Sequence, residues 1–161
     1  MDRIDDTDAR ILRLLQVHGR MKRNQIAEEV GLSVPSVSDR MRKLEDRKVI
    51  TGYHAVVDAR CLHLDITVFI RVIVDGSAHY ADFVERASAL PEVLEVHAIT
   101  GEGSHMLKVR TRNTATLEHL LSTIQQWPGV RGTSSSIVLS TAKETRELPI
   151  EPTFLAPLDL T

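Results

Sequence analysis

Ser36, Ser38, Arg40, Arg42 and Lys43 fall within eight residues and, on a helix, turn away from the apolar stripe of Val37, Met41 and Leu44. Hydroxyls and cationic groups gathered on one face, with Asp39 among them, hydrogen-bond base edges and neutralise phosphates. That is the chemistry of a nucleic-acid contact surface. Arg40, Arg42 and Ser36 are the candidates for base or groove-edge contacts, and Lys43, Arg23, Ser38 and Lys48 for phosphates, with Ser33 at the start of the same helix.

The elements that present this face span residues 23–44. Ile26, Ala27 and Val30 share one side of a first helix, which stops at Gly31, a residue that tolerates the left-handed turn required there. Leu32 plugs the core, Ser33 is placed to cap the second helix, and Pro35 in its first turn gives up no hydrogen bond. Small Ala27 permits a steep crossing of the two helices. This is the pattern of a helix-turn-helix, whose second helix enters the major groove; a plain helical hairpin with a solvated basic face is the alternative.

Charge distribution favours the first reading. The net charge is −2, but residues 20–48 hold eight Lys/Arg against five acids, whereas from His63 onward eight bases face twelve acids. The basic excess sits on the helix pair, as phosphate contact requires. With 161 residues and 42% hydrophobic content the chain can bury a real core. No apolar run is long enough for a membrane span, and MDRIDDTDAR is too charged for a signal peptide, so the expectation is a cytoplasmic protein without a membrane partner. The single cysteine, Cys61, excludes an intramolecular disulfide and a multi-cysteine zinc site, and is expected to be a small buried hydrophobe. No metal or cofactor is expected.

Ahead of the pair, Ile4, Ile11, Leu12, Leu14 and Leu15 stripe a helix with Asp5, Asp6 and Asp8 as capping charges at its N-terminal end. After it, VITGYHAVVD reads as a two-stranded wing about Gly52, with Tyr53 and His54 within reach of phosphates. Residues 66–74 alternate with apolar residues on both faces. Helical spacing then covers Tyr80, Phe83, Val84 and Ala87, and later Leu117, Leu120, Leu121 and Ile124, with strands between and after them. The order β-α-β-β-α-β predicts a four-stranded antiparallel sheet with both helices on one face, leaving Phe69 and Ile73 on an open face suited to self-association. The fold class is thus α+β: residues 1–60 a winged helix-turn-helix, 61–65 a linker, 66–142 a βαββαβ ferredoxin-like sandwich, and 143–161 a tail running extended toward a neighbouring subunit.

Taken in order, IDDTDARILRLLQVHGR, QIAEEVGLSVPSVSDRMRKLED, VITGYHAVVD, VHAITGEGSHMLKVR and WPGVRGTSSSIVLS make the chain similar, over residues 2–145, to the Lrp/AsnC (feast/famine) regulators of bacteria and archaea. The resemblance implies a sequence-specific transcriptional regulator that binds a pseudo-palindromic double-stranded site. It implies homodimers built through the second domain, assembled further into tetramers or octamers, and an amino acid or related metabolite bound between subunits. The implied effector site is the turn Thr100, Gly101, Glu102, Gly103, Ser104 and His105, faced by Ser135, Ser136, Ile137 and Val138 of another subunit. Two glycines there expose N–H groups to a carboxylate, and Glu102 suits an ammonium group; an ordinary glycine hairpin is the alternative.

The sequence departs from the family twice. Ser104 and His105 stand where many members carry an acid and an aromatic, and Lys48 where a glycine is usual, at a cost of about 1 kcal/mol if the backbone is left-handed. Two other functions use similar architecture. Haem-precursor decarboxylases resemble this fold, and His97, His105 and His119 could serve a tetrapyrrole, but no nucleophile–base pair or metal-ligand spacing accompanies them. An effector-independent DNA-compacting role is disfavoured by the mild net charge.

Overall fold

The computed structural model describes residues 3–154. Its elements run β1 (Arg3–Ile4), α1 (Asp6–Val17), α2 (Arg23–Val30), α3 (Val34–Asp46), β2 (Ile66–Val74) and α4 (Tyr80–Ala89). They continue with β3 (Val93–Ala98), β4 (His105–Thr111), α5 (Thr114–Gln125), β5 (Val130–Ile137) and β6 (Thr153–Phe154). The chain divides into two compact units, one of residues up to 56 together with those from 143 on, the other of residues 57–142.

In the first unit, Asp5 caps α1: its carboxylate accepts from the Asp8 N–H at 2.8 Å, and the Asp8 carboxylate accepts in return from the Asp5 N–H. Helix α2 ends at Gly31, whose φ of 70° makes the tight turn, and Ser33 caps α3 with Pro35 in its first turn. Ile11, Ile26, Ala27, Val30, Val37 and Met41 close one core. Ile4, Ala9, Leu12 and Leu44 form another, onto which Val49, Ile50 and Ile150 pack.

One expectation fails in this unit. The two-stranded hairpin at VITGYHAVVD is not formed: residues 51–58 belong to no strand. Val49 and Ile50 instead turn back, donating their N–H groups to the Leu44 carbonyl at 2.9 and 3.1 Å and packing on the core beside it. Their β-branched side chains serve that core, and an isolated hairpin is marginal in water. Of the tail, the described residues through Phe154 lie against their own chain. Strand β6 pairs antiparallel with β1, Ile4 opposite Thr153 and Arg3 opposite Phe154.

The second unit is the four-stranded antiparallel sheet expected, in the order β3-β4-β2-β5. Val68, Ile70, Val72 and Val74 of the central β2 are buried with Phe83 and Ala87 of α4 and Leu117, Leu120 and Ile124 of α5. Alternation puts Thr67, Phe69, Arg71 and Ile73 on the other face, where Phe69 and Ile73 remain 40% and 50% exposed. The connector residues Ala59–Leu62 form a 3-10 turn, and Cys61 within it is exposed, not buried as expected.

Candidate functional site

Helix α3 is anchored by Val37, Met41 and Leu44, so the side carrying Ser36, Arg42 and Lys43 faces out. A shallow cleft of about 370 Å³ runs along it, lined by Ser36, Asp39, Arg40, Lys43, Leu44 and Arg47 from α3 and its end, together with Asp8 and Leu32. Asp39 organises the cations. Its two carboxylate oxygens meet Arg42 NH2 at 2.5 Å and Lys43 Nζ at 2.7 Å. Lys43 and then Arg42 hold the Asp39 carboxyl below its ordinary range, and Asp39 in turn raises the Arg42 guanidinium. All three are solvent-facing, so each pair is weak in water. Ser33 spends its hydroxyl on the helix, accepting from the Ser36 N–H and sharing a 2.8 Å bond with the Ser36 hydroxyl.

Arg40, expected among the base contacts, also makes contacts inside the unit. Its NH1 donates to Asp5 Oδ2 and Asp8 Oδ1, each at 2.7 Å, tying α3 to the start of α1. The bond to Asp5, then that to Asp8, pushes the guanidinium up. Burial works against charge on Asp5, yet the Asp8 N–H and Arg40 together hold its carboxyl below the ordinary value. The signal was present in the sequence as three acids at a helix start, which the capping role alone seemed to exhaust. Lys48 takes a φ of 58°, so the left-handed backbone is the one adopted of the two left open by the departure from glycine, and its side chain is exposed close after α3.

In the second unit the turn between β3 and β4 is stitched to β2. The Ser104 N–H donates to the Val72 carbonyl at 3.0 Å, and the Ser104 hydroxyl accepts from the Val74 N–H at 3.0 Å. Gly101 and Gly103 have φ of 98° and 91°; a Cβ on Gly103 would lie 2.7 Å from Arg71 Cγ, so only glycine lets the turn settle on that side chain. Thr100, Gly101 and Glu102 are exposed at the tip, and Arg71 NH1 stands 3.5 Å from Glu102 Oε2. The Arg71 Nε is buried with no acceptor among the described residues.

Two of the expected effector contacts are therefore occupied elsewhere. Ser104 holds the turn to β2, and His105 is 1% exposed, lying edge-on to Tyr80 with ring centroids 4.8 Å apart and tilted against Phe83 at 4.7 Å. Its register opposite Val72 puts it on the helix-covered face, and burial pushes its imidazole down. Within one chain Ser135, Ser136 and Ile137 pair with Ile70, Phe69 and Val68, and the Val138 N–H donates to the Thr67 carbonyl at 2.9 Å. They thus run along β2 away from the turn, and alternation sends Ser136 to the open face and Ser135 to the other. Arg71, which sequence reading left unassigned, is the residue that meets the turn; its place on β2 opposite Met106 is a matter of register that spacing alone does not give.

A three-helix reading head with an exposed cationic helix face, joined to a βαββαβ unit, defines a DNA-binding regulator with a second sensing or assembly module. The comparisons make this specific. The family described as Lrp/AsnC ligand binding domain matches residues 67–148, and that described as winged helix-turn-helix DNA-binding matches residues 4–51. The HTH-type transcriptional regulator FL11 of Pyrococcus horikoshii is 35% identical over 148 residues, covering 92% of this chain and 97% of the relative. A transcriptional regulator from Neisseria meningitidis, solved as its L-Met complex, superposes with a TM-score of 0.86 at 33% identity over 90% of this chain and 96% of that one. The feast or famine regulatory protein of M. tuberculosis complexed with L-methionine gives 0.84 at 32% identity over 90% and 98%. The chain belongs to the Lrp/AsnC family of transcriptional regulators. Among the described residues no helix is long and apolar enough to cross a membrane.

Proposed function

We propose that the chain binds a pseudo-palindromic DNA site as a homo-oligomer, with the outer face of α3 in the major groove, and that an amino acid bound at the turn 100–104 shifts its assembly. The observation that carries the DNA reading is the α3 face itself: Arg42, Lys43 and Ser36 are exposed, Ser36 and Lys43 line one cleft, and Asp39 pairs with both Arg42 and Lys43. Arg42 and Ser36 are assigned to base edges, and Lys43, Arg23, Ser38 and Lys48 to phosphates; Ser33 acts through the helix cap. Arg40 is assigned to holding α3.

Dimerisation through the open sheet face accounts for the exposure of Phe69 and Ile73, and dimers joining further would supply a second strand β5 to each turn. An amino acid suits a tip that offers backbone N–H groups at two glycines and the opposite charges of Glu102 and Arg71. L-methionine, present in the two related structures, is the first ligand to test. Such a ligand acts only through different affinities for two assemblies.

The test uses a duplex from the protein's own promoter region and a random duplex. Lys43→Ala is expected to weaken both alike and to reduce the salt slope by about 1, whereas Arg42→Ala is expected to lose about 1–3 kcal/mol of discrimination. Unchanged binding of both duplexes by both variants rules out this face. Calorimetry with L-methionine and then the other amino acids tests the ligand half, with a change in oligomer mass as the second readout.

A further inference from the structure

Extended chain from 147 to 154 lies along the reading unit through contacts made largely by its main chain. Gln16 embraces Leu148 from both sides: its Nε2 donates to the Leu148 carbonyl at 3.0 Å and its Oε1 accepts the Leu148 N–H at 2.7 Å. One helical turn back, Arg13 donates from Nε at 3.0 Å and NH2 at 2.7 Å to the Ile150 carbonyl. The Ile150 side chain packs on the cluster of Ile4, Ala9, Leu12 and Leu44, and β6 adds itself to β1. A side-chain amide paired with one backbone residue, a guanidinium on a second, and strand addition three residues on are how a surface recognises an extended peptide.

What this segment holds is the base of α3. Strand β1 ends at Ile4, and the next residue is Asp5, whose carboxylate both caps α1 and binds Arg40 of α3. Leu44, near the other end of α3, is in the same cluster that Ile150 covers. The segment also leaves from the strand β5, since residues 138–152 join β5 to β6.

We propose that residues 147–154 form a docking strap whose seating on Arg13 and Gln16 of the same chain fixes β1 and, through Asp5 and Arg40, sets the recognition helix. The strap is a second covalent route, besides the connector before β2, by which the βαββαβ unit acts on the DNA-reading helices. The inference rests on the reading of α3 as the DNA-contacting helix only for its affinity readout; its structural readouts need no DNA.

The experiment is residue-resolved amide hydrogen exchange on the full chain. In the parent protein the Leu148 amide is expected to be protected. Gln16→Leu, which removes both bonds, should speed its exchange by about tenfold or more, and Gln16→Glu, which keeps the acceptor, should fall between. Combining Arg13→Ala with Gln16→Leu should shift the Arg40 side-chain N–H resonances and weaken binding to the promoter duplex by about three- to tenfold, through lost preorganisation, while exchange of the Val37 amide within α3 changes by less than about twofold. A Leu148 amide exchanging at the free-chain rate in the parent overturns the strap. Release of Leu148 with Arg40 unmoved overturns its link to α3. Protection of Leu148 that disappears on dilution to monomer places the occupied groove between copies and overturns docking in cis. If the Arg40 resonances move but no duplex binds in any variant, the strap stands and the DNA reading falls.

Discussion

Replacing Arg40 by methionine separates a residue that holds the recognition helix from one that reads bases. Its side chain is 32% exposed, and its NH1 bridges Asp5, 45% exposed, and Asp8, 13% exposed, at 2.7 Å each. The Asp5 half is largely solvated and contributes a few tenths to about 1 kcal/mol. The Asp8 half is a charge-assisted bond to a mostly buried carboxylate, worth about 1.5 kcal/mol when the partner is removed. Methionine retains much of the stem packing, so the expected loss is about 2 kcal/mol, or roughly thirtyfold faster exchange of the Val37 amide in α3. A double-mutant cycle with Asp8→Asn should return about 1 kcal/mol of coupling. The sign with pH follows from Asp5: its folded carboxyl lies below the ordinary 3.8, so its share is full above that pH and fades as the pH falls through the lower folded value. Arg40→Met should lose that acid limb. Specific and random duplexes should weaken together. A variant with unchanged α3 exchange and a selective loss of about 1–3 kcal/mol on the promoter duplex would refute the reasoning and return Arg40 to base reading.

Three further perturbations follow from the same geometry. His105→Phe should remove a pH dependence of stability: the buried imidazole has its folded pKa below the ordinary 6.5, so its contribution is present above 6.5 and declines as the pH falls through that value toward the folded one; urea midpoints between pH 7 and 5 that stay parallel for parent and variant contradict this. Lys48→Gly relieves a φ of 58° and should raise stability by up to about 1 kcal/mol, about 2–4 °C in Tm; no rise means the left-handed lysine costs nothing measurable. Gly103→Ala meets Arg71 Cγ at 2.7 Å and the Val72 carbonyl at 3.2 Å with φ at 91°, so it should cost more than about 1 kcal/mol and abolish the calorimetric signal of any ligand at the turn. Retained ligand heat with unaltered stability would place the ligand elsewhere.

Elements with strong internal periodicity were readable from the residues alone. Val37, Met41 and Leu44 dictated which side of α3 is buried, and the alternation through 66–74 dictated both faces of β2, because those patterns are imposed by the element's own geometry. Contacts between residues distant in sequence were not. Arg40 meets Asp5 and Asp8 across more than thirty residues; its i+3 spacing from Val37 borders it on the buried stripe while Arg42 faces solvent, but that spacing does not name the acids it meets. Val49 and Ile50 have the residue types of a strand but lie over Leu44, so burial decided their fate. His105 follows directly on an exposed turn, and only its register opposite Val72 turns it inward. The tail carries Pro149 and Pro152 and reads as an extended segment bound for a neighbouring subunit; that Gln16 and Arg13 grip its backbone has no local signature, because main-chain recognition is blind to the sequence gripped.

The account's central claim is that the exposed face of α3 binds DNA in phase with its oligomer and that an amino acid changes that arrangement. The most direct measurement is footprinting of the protein on its own promoter region, without and with a full amino-acid mixture. The account predicts protection repeating at about one helical turn whose extent or spacing shifts with the mixture. Phased protection that ignores the mixture would contradict the effector half, and protection without phase or sequence preference would contradict the reading of α3 itself.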